Sequence, residues 1–253
     1  MEGAIMISRP ELQEYALLKK LNLGQAEKDH FQLIFLSILY SSFGKELVFK
    51  GGTALSKAYG LDRFSEDLDF TLSQEKKIQD TLQEGIKRFY LEVELEEKRF
   101  RESISFNIRI IGPLYNGVRQ SMCKLELDFS LREKVIMEPL IITLGRLLRE
   151  LPSFDVVVMT KEEILAEKVR AIVSRTKARD VYDLWFLLKD NTTIDMTLIQ
   201  KKLVLCQKVY DFSDFKKHVN AKHEIWESEL TPLIKKVPTF NEVKKMILEK
   251  MKS

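Results

Sequence analysis

Residues 47–72 read LVFKGGTALSKAYGLDRFSEDLDFTL, and the fold turns on how this stretch is parsed. An apolar run ends in Gly51 and Gly52. A short helical pattern, ALSKAYG, follows, and the chain returns in DLDFTL, where apolar and polar residues alternate. Strand, glycine turn, helix and strand is the reading that fits these periods. In a strand, residues i and i+2 share a face, so Asp67 and Asp69 project together while Leu68 and Phe70 point to the core. Two carboxylates held that close are costly unless one is protonated or a cation bridges them.

Outward from this stretch, two kinds of periodicity divide the chain. Residues 10–42 read as helical, with Leu12, Tyr15, Leu18 and then Phe31, Ile34, Phe35, Ile38 and Leu39 at three- and four-residue steps. Residues 75–90 form a second, amphipathic helical pattern. YLEVELEEK (90–98), SISFNIRIIG (103–112) and CKLELDFS (123–130) alternate and predict half-buried strands of a mixed or antiparallel sheet. PLYNG makes the turn before the last of these, and FDVVVM (154–159) is a further strand. From Thr160 no strand is predicted. TKEEILAEKVRAIVSR opens with Thr160 and Glu163 in capping-box spacing. RDVYDLWFLLKD is a nearly all-apolar helix, and two or three more helices follow. The fold class is α+β, with one domain over residues 1–158 and a helical domain over 159–253.

Composition narrows the function. With 253 residues, 45% hydrophobic and 31% charged, the chain can bury a sizeable core. Cys123 and Cys206 make neither a disulfide framework nor a zinc site, and three histidines are too few for a histidine metal cluster. No secretory pattern opens the chain and no apolar run suits a bilayer, so the expected location is cytoplasmic. Residues from 161 onward carry a basic excess of about five and the rest an acidic excess of about two. A cation site beside a polyanion-binding surface would suit this asymmetry, and so would solvated helix faces.

The chemistry-bearing residues fall in two regions. Asp67 and Asp69 suit Mg²⁺, which takes hard oxygen ligands and commonly uses one or two carboxylates plus substrate phosphates. CKLELDFS offers a third acid, Asp128 in preference to Glu126, if that strand lies beside the first. D-x-D is also common on exposed strand faces. Gly51 and Gly52 permit positive φ and close backbone approach to a ligand, and Thr53 suits the cap of a helix whose first amides would bind a phosphate. Arg63 and Ser65 are placed to hold the loop or a substrate phosphate, Arg63 equally to pair with an acid. In the second region Lys168 sits amid an apolar stripe of Ile164, Leu165, Val169 and Ile172, with Arg175 seven residues on. Asp180 and Asp183 are the charges inside the next apolar run and want basic partners, among them Lys168, Arg175, Lys177 and Arg179. An interdomain salt-bridge network is the alternative to a catalytic role. His218 and His223 lack supporting ligands, and Cys123 lacks a base.

FKGGTALSKAYGLDRFSEDLDF resembles the first motif of the AbiEii-type nucleotidyltransferases, toxins of type IV toxin–antitoxin and abortive-infection systems with the MenT toxins as relatives. TKEEILAEKVRAIVSRTKARDVYDLWFLL (160–188) is similar to the family's later motifs, with their lysine and R-D-x-x-D. The two stretches span most of residues 48–188. The resemblance implies a mixed sheet of the DNA polymerase beta-like superfamily, flanked by helices and followed by a helical domain that completes the active site. It implies transfer of NMP from an NTP to an acceptor, with Mg²⁺ or Mn²⁺ held by Asp67 and Asp69. Asp128 would complete a second cation site or act as base. Gly51, Gly52, Thr53 and Ser56 would hold the β and γ phosphates. Lys168 and one acid, Asp180 before Asp183, would act at the site. An RNA acceptor is implied, tRNA 3′ ends first, together with a separately encoded antitoxin. The alternatives are nucleotidylation of a protein or small-molecule hydroxyl, and a catalytically idle NTP- or RNA-binding module.

Overall fold

The computed structural model describes residues 7–73, 78–145 and 151–252. The helical stretch expected over 10–42 is two helices, α1 (Arg9–Lys19) and α2 (Leu23–Tyr40). Lys20 adopts a left-handed conformation at φ 57°, which stops α1, and the Asn22 side chain accepts from the Gln25 amide to start α2. There follow β1 (Leu47–Lys50), α3 (Gly51–Tyr59), β2 (Leu68–Leu72), α4 (Ile78–Arg88), β3 (Val93–Arg99), β4 (Ser103–Ile110) and β5 (Cys123–Ser130). Part of the helix expected over 75–90 lies outside the described residues. After β5 come β6 (Leu140–Leu144) and β7 (Phe154–Val158), then α5 (Lys161–Ser174), α6 (Ala178–Lys189), α7 (Met196–Val204), α8 (Phe212–Asn220), α9 (Trp226–Leu230) and α10 (Phe240–Lys250). β6 was not expected. Its sequence, LIITL, is a short β-branched run without alternation, and it pairs antiparallel with β7.

The described strands form one seven-stranded mixed sheet in the order β3-β4-β5-β2-β1-β7-β6. β2–β5 and β1–β7 are parallel pairs and the others antiparallel. Strand alternation then sorts whole cross-strand rows. One row runs Phe49, Phe70, Phe129 and Ile104 through the register of β1, β2, β5 and β4. Its aromatic rings stand 5.4 Å apart for Phe49–Phe70 and 5.0 Å for Phe70–Phe129, and the four residues are essentially buried. At about 1.5–3 kcal/mol for each large apolar side chain removed from water, this row fixes the registers of the strands that carry the acids.

Two compact units share the chain. One holds the sheet, α1, α2 and α4, and comprises the residues up to Ala54, Glu66–Lys134 and Pro139–Val158. The other comprises Leu55–Ser65, Val135–Glu138 and Met159–Ser253, including the last six helices. The chain passes from the first to the second inside α3. In the helical unit α5 is buried nearly all round, and Lys222 and Lys208 donate at 2.7 Å to the carbonyls of Ile172 and Val173 at its C-terminal end. Those carbonyls have no partner within the helix and carry its partial negative charge.

Candidate active site

In the sheet unit the site is built from the ends of β1 and β2. α3 starts directly at Gly51, whose φ is +74°, a conformation that L side chains rarely adopt. A Cβ there would strike the carboxylate of Asp69, so the glycine is also the space in which that side chain lies. Thr53 is not the helix cap expected of it. It lies inside the first turn, and its hydroxyl donates to the backbone carbonyl of Asp67, tying α3 to the start of β2. Gln32 of α2 donates at 3.0 Å to the carbonyl of Glu66, so the residue before Asp67 is held as well.

The parallel pairing of β2 with β5 places Asp69 opposite Asp128 in register, and β1–β2 pairing places Lys50 opposite Asp69. Ser105 follows on β4, opposite Asp128. Lys50, Asp69, Asp128 and Ser105 thus form one cross-strand row on the face opposite the phenylalanines. Adjacent strands lie about 4.8 Å apart, so these groups feel one another directly. Burial, with repulsion from Asp69, Glu126 and Asp67, raises the Asp128 carboxyl to about 6 against the lowering effect of the Ser105 hydroxyl. A cleft of about 550 Å³ opens on this face, with Asp67, Glu126 and Asn107 among its walls.

In the helical unit the second set of residues forms a chain of alternating charges. Asp183 accepts from Arg63 Nε at 2.6 Å and from its terminal nitrogen at 2.7 Å, and lies 2.6 Å from Lys168 Nζ. Lys168 also donates to Asp180 at 3.0 Å, and Asp180 takes two hydrogen bonds from Arg175 at 2.8 and 2.9 Å. Asp180 and Asp183, one turn apart on α6, are fully buried. Burial opposes their ionisation. Lys168 and Arg175 outweigh it at Asp180, and Arg63 and Lys168 at Asp183, so both carboxyls are held below their ordinary value. Among the described residues, Arg63, Lys168 and Arg175 are the cations joined to these two carboxylates by the bonds above. Ser56 is half-buried on α3 and Ser65 half-buried just beyond Arg63, both in this unit.

A family model for the AbiEii toxin, a nucleotidyl transferase of type IV toxin–antitoxin systems, matches residues 34–245. The chain belongs to the AbiEii family. It is therefore a nucleotidyltransferase of the toxin class, with an NTP as substrate and an antitoxin as the partner that such systems imply. MenT4, a nucleotidyltransferase toxin from Mycobacterium tuberculosis H37Rv, is 20% identical with a TM-score of 0.66, over 96% of this chain and 88% of that one. JHP933 from Helicobacter pylori is 21% identical with a TM-score of 0.60, over 89% of this chain and 93% of that one. At these identities both likenesses show a shared fold. No curated protein matches the chain.

Members of the AbiEii family generally use a divalent metal. Among the described residues no group of three His, Cys, Asp or Glu side chains converges closely enough to hold an ion by protein ligands alone. The donors nevertheless fit one. Burial and the neighbouring carboxylates disfavour the charged form of Asp128, which a cation would offset, and hard cations bind through one or two carboxylates when substrate phosphates complete the shell. Lys50 and Ser105 share the row with the acids and were missed in the sequence. Lys50 had a signal, as a charge closing the buried run LVF just before the glycines. Ser105 had none, since its place depends on β4–β5 pairing. Among the other candidates, burial pushes the Cys123 thiol up to about 12, where it is not a nucleophile at neutral pH. His218 lies beside Asp214, 2.9 Å from its carbonyl, and the His223 ring rests on Phe240.

Proposed function

We propose that this AbiEii-family enzyme transfers NMP from an NTP to the 3′ end of an RNA, with tRNA as the leading acceptor and Mg²⁺, or Mn²⁺ in its place, as the cation. The observation that carries the reading is the register of β2 on β5, with Asp69 opposite Asp128 and Asp67 immediately before the strand. Asp67, Asp69 and Asp128 would hold the metal, which supplies charge neutralisation at the phosphates when bound. Gly51 and Gly52 let the backbone amides of the first α3 turn approach the β and γ phosphates, with Thr53 holding that turn on β2 and Ser56 one turn on.

The acceptor hydroxyl attacks the α-phosphorus in line, one P–O bond forms, the bond to the β-phosphate oxygen breaks, and pyrophosphate leaves. The hydroxyl proton goes to a base, and Asp128 would either complete a second cation site or take that proton. Lys168 is the cation we assign to the triphosphate charge, with Asp180 and Asp183 orienting its ammonium. Arg63, held by Asp183, and Ser65 fix the loop that leads to Asp67. The basic excess after residue 160 supports an RNA acceptor.

The test is a transfer assay with each α-labelled NTP, Mg²⁺ and total tRNA, resolving RNA and protein together. Label on RNA that disappears in Asp67→Ala is the expected result and names the preferred nucleotide. Label on protein alone would replace the acceptor. Absence of both label and Mg²⁺-dependent NTP binding would remove the catalytic assignment of these residues.

A further inference from the structure

Lys50 is a charged side chain in a buried strand, 7% exposed, and its place in the ladder puts it on the same face as Asp69. Its ammonium donates to Glu133 Oε2 at 2.9 Å, and Glu133 is itself 4% exposed. Glu133 follows β5 by three residues, so one end of the pair lies on the strand before the glycine turn and the other on the loop leaving the strand of Asp128. Directly opposed residues on one sheet face bring their Cβ atoms to about 5 Å, well within the reach of a lysine. The ammonium therefore has two anionic neighbourhoods in range, Glu133 and the carboxylate row.

We propose that Lys50 and Glu133 are positioning residues that set the charge of the carboxylate row and hence its affinity for a divalent cation. Lys50 supplies a resident positive charge that lessens repulsion between Asp69 and Asp128, and Glu133 draws that charge away from Asp69, leaving its oxygens to an incoming ion. Burial is what gives the pair this leverage, because a charge shielded from water acts on its neighbours with far less screening than one on the surface. A purely structural pair would tie β1 to the loop after β5 and leave cation binding unchanged. The inference rests on the reading of Asp67, Asp69 and Asp128 as metal ligands.

The experiment is Mn²⁺ binding to the full chain, followed by loss of the free-ion paramagnetic resonance signal, with no nucleotide present. In Glu133→Gln the Lys50 charge loses the buried anion that offsets it 2.9 Å away, and binding should weaken about tenfold. In the double variant Lys50→Met/Glu133→Gln both buried charges are gone, a swap that often leaves stability nearly unchanged, and binding should tighten about tenfold relative to the wild type. The opposite signs are the signature. Wild-type affinity in both variants, or weakening in both with unaltered thermal melts, would overturn the role of the pair while leaving the metal reading in place. A wild-type protein that takes up no Mn²⁺ would remove the metal reading and the inference with it.

Discussion

Gly51 meets two demands that no other residue type satisfies together. Its backbone sits at φ +74°, which costs an L residue about 1–2 kcal/mol, and its missing Cβ is the volume taken by the Asp69 carboxylate. Gly51→Ala should therefore lower stability by about 1–2 kcal/mol from the backbone alone. It should also push Asp69 out of the row. Displacement of a reacting-site group by about 1 Å costs on the order of a hundredfold in rate. A thermal melt beside the transfer assay checks both effects, and a variant with near wild-type transfer would show that the position of Asp69 is not critical. Lys50 makes the same point from the other side of the ladder, because a single residue acquires meaning from what register sets opposite it.

At the scale of elements, α5 and α6 are held together by charges as well as by apolar contact. The Thr160–Glu163 signal gave half of a capping box. The Thr160 hydroxyl accepts from the Glu163 amide at 3.3 Å, but the Glu163 carboxylate turns instead to the amides of Ile136 and Met137 and to Lys202 at 2.7 Å. A buried lysine and two backbone amides together are the stronger claim on that carboxylate. The loop before β2 is tied in successive residues, with Asp62 accepting from the Tyr182 hydroxyl at 2.6 Å, Arg63 on Asp183, and the Phe64 amide donating to Leu233 at 2.7 Å. Asp183→Asn leaves Arg63 and Lys168 short of one buried counter-charge and should cost about 3–5 kcal/mol at neutral pH. The pH dependence has a definite sign. Asp180 and Asp183 titrate below the unfolded value of 3.8, so the stability they contribute is fully present above that value and is lost as pH falls through and below it. In denaturant melts the gap between wild type and Asp183→Asn should be narrower at pH 3 than at pH 7, by about 1 kcal/mol. A gap that stays constant would mean the network does not couple to folding in this way.

For the molecule as a whole, charge is unevenly distributed along the chain, and the basic excess belongs to the residues after 160. No helix among the described residues is long and apolar enough to cross a membrane. If about three of these cations meet phosphates of a single-stranded acceptor end, affinity should fall about twentyfold between 50 and 200 mM salt, through counterion release. Filter binding of tRNA to Asp67→Ala across that range measures the slope. A flat response would shift the acceptor toward a protein or small-molecule hydroxyl, whose recognition does not release a counterion atmosphere.

Local rules made several features legible before any coordinate. The strand–glycine–helix–strand parse follows from backbone sterics and a period of two, and it holds except that β2 starts at Leu68, which leaves Asp67 one residue before the strand. The helices after Thr160 and the need of Asp180 and Asp183 for cationic partners follow from periodicity and the cost of burying charge. The break at Lys20 and the strand β6 were missed because a left-handed stop and a run without alternation leave no periodic trace. What only the tertiary structure decided is which strand lies beside which. Asp128 rather than Glu126 stands opposite Asp69 because β5 runs parallel to β2 in one particular register. Lys50 and Ser105 join that row, and Arg63 meets Asp183 across 120 residues, for the same kind of reason. Sequence spacing encodes which face a side chain takes along its own element. Partners in other elements are chosen by the burial of whole apolar rows, a sum over many residues that no short motif contains.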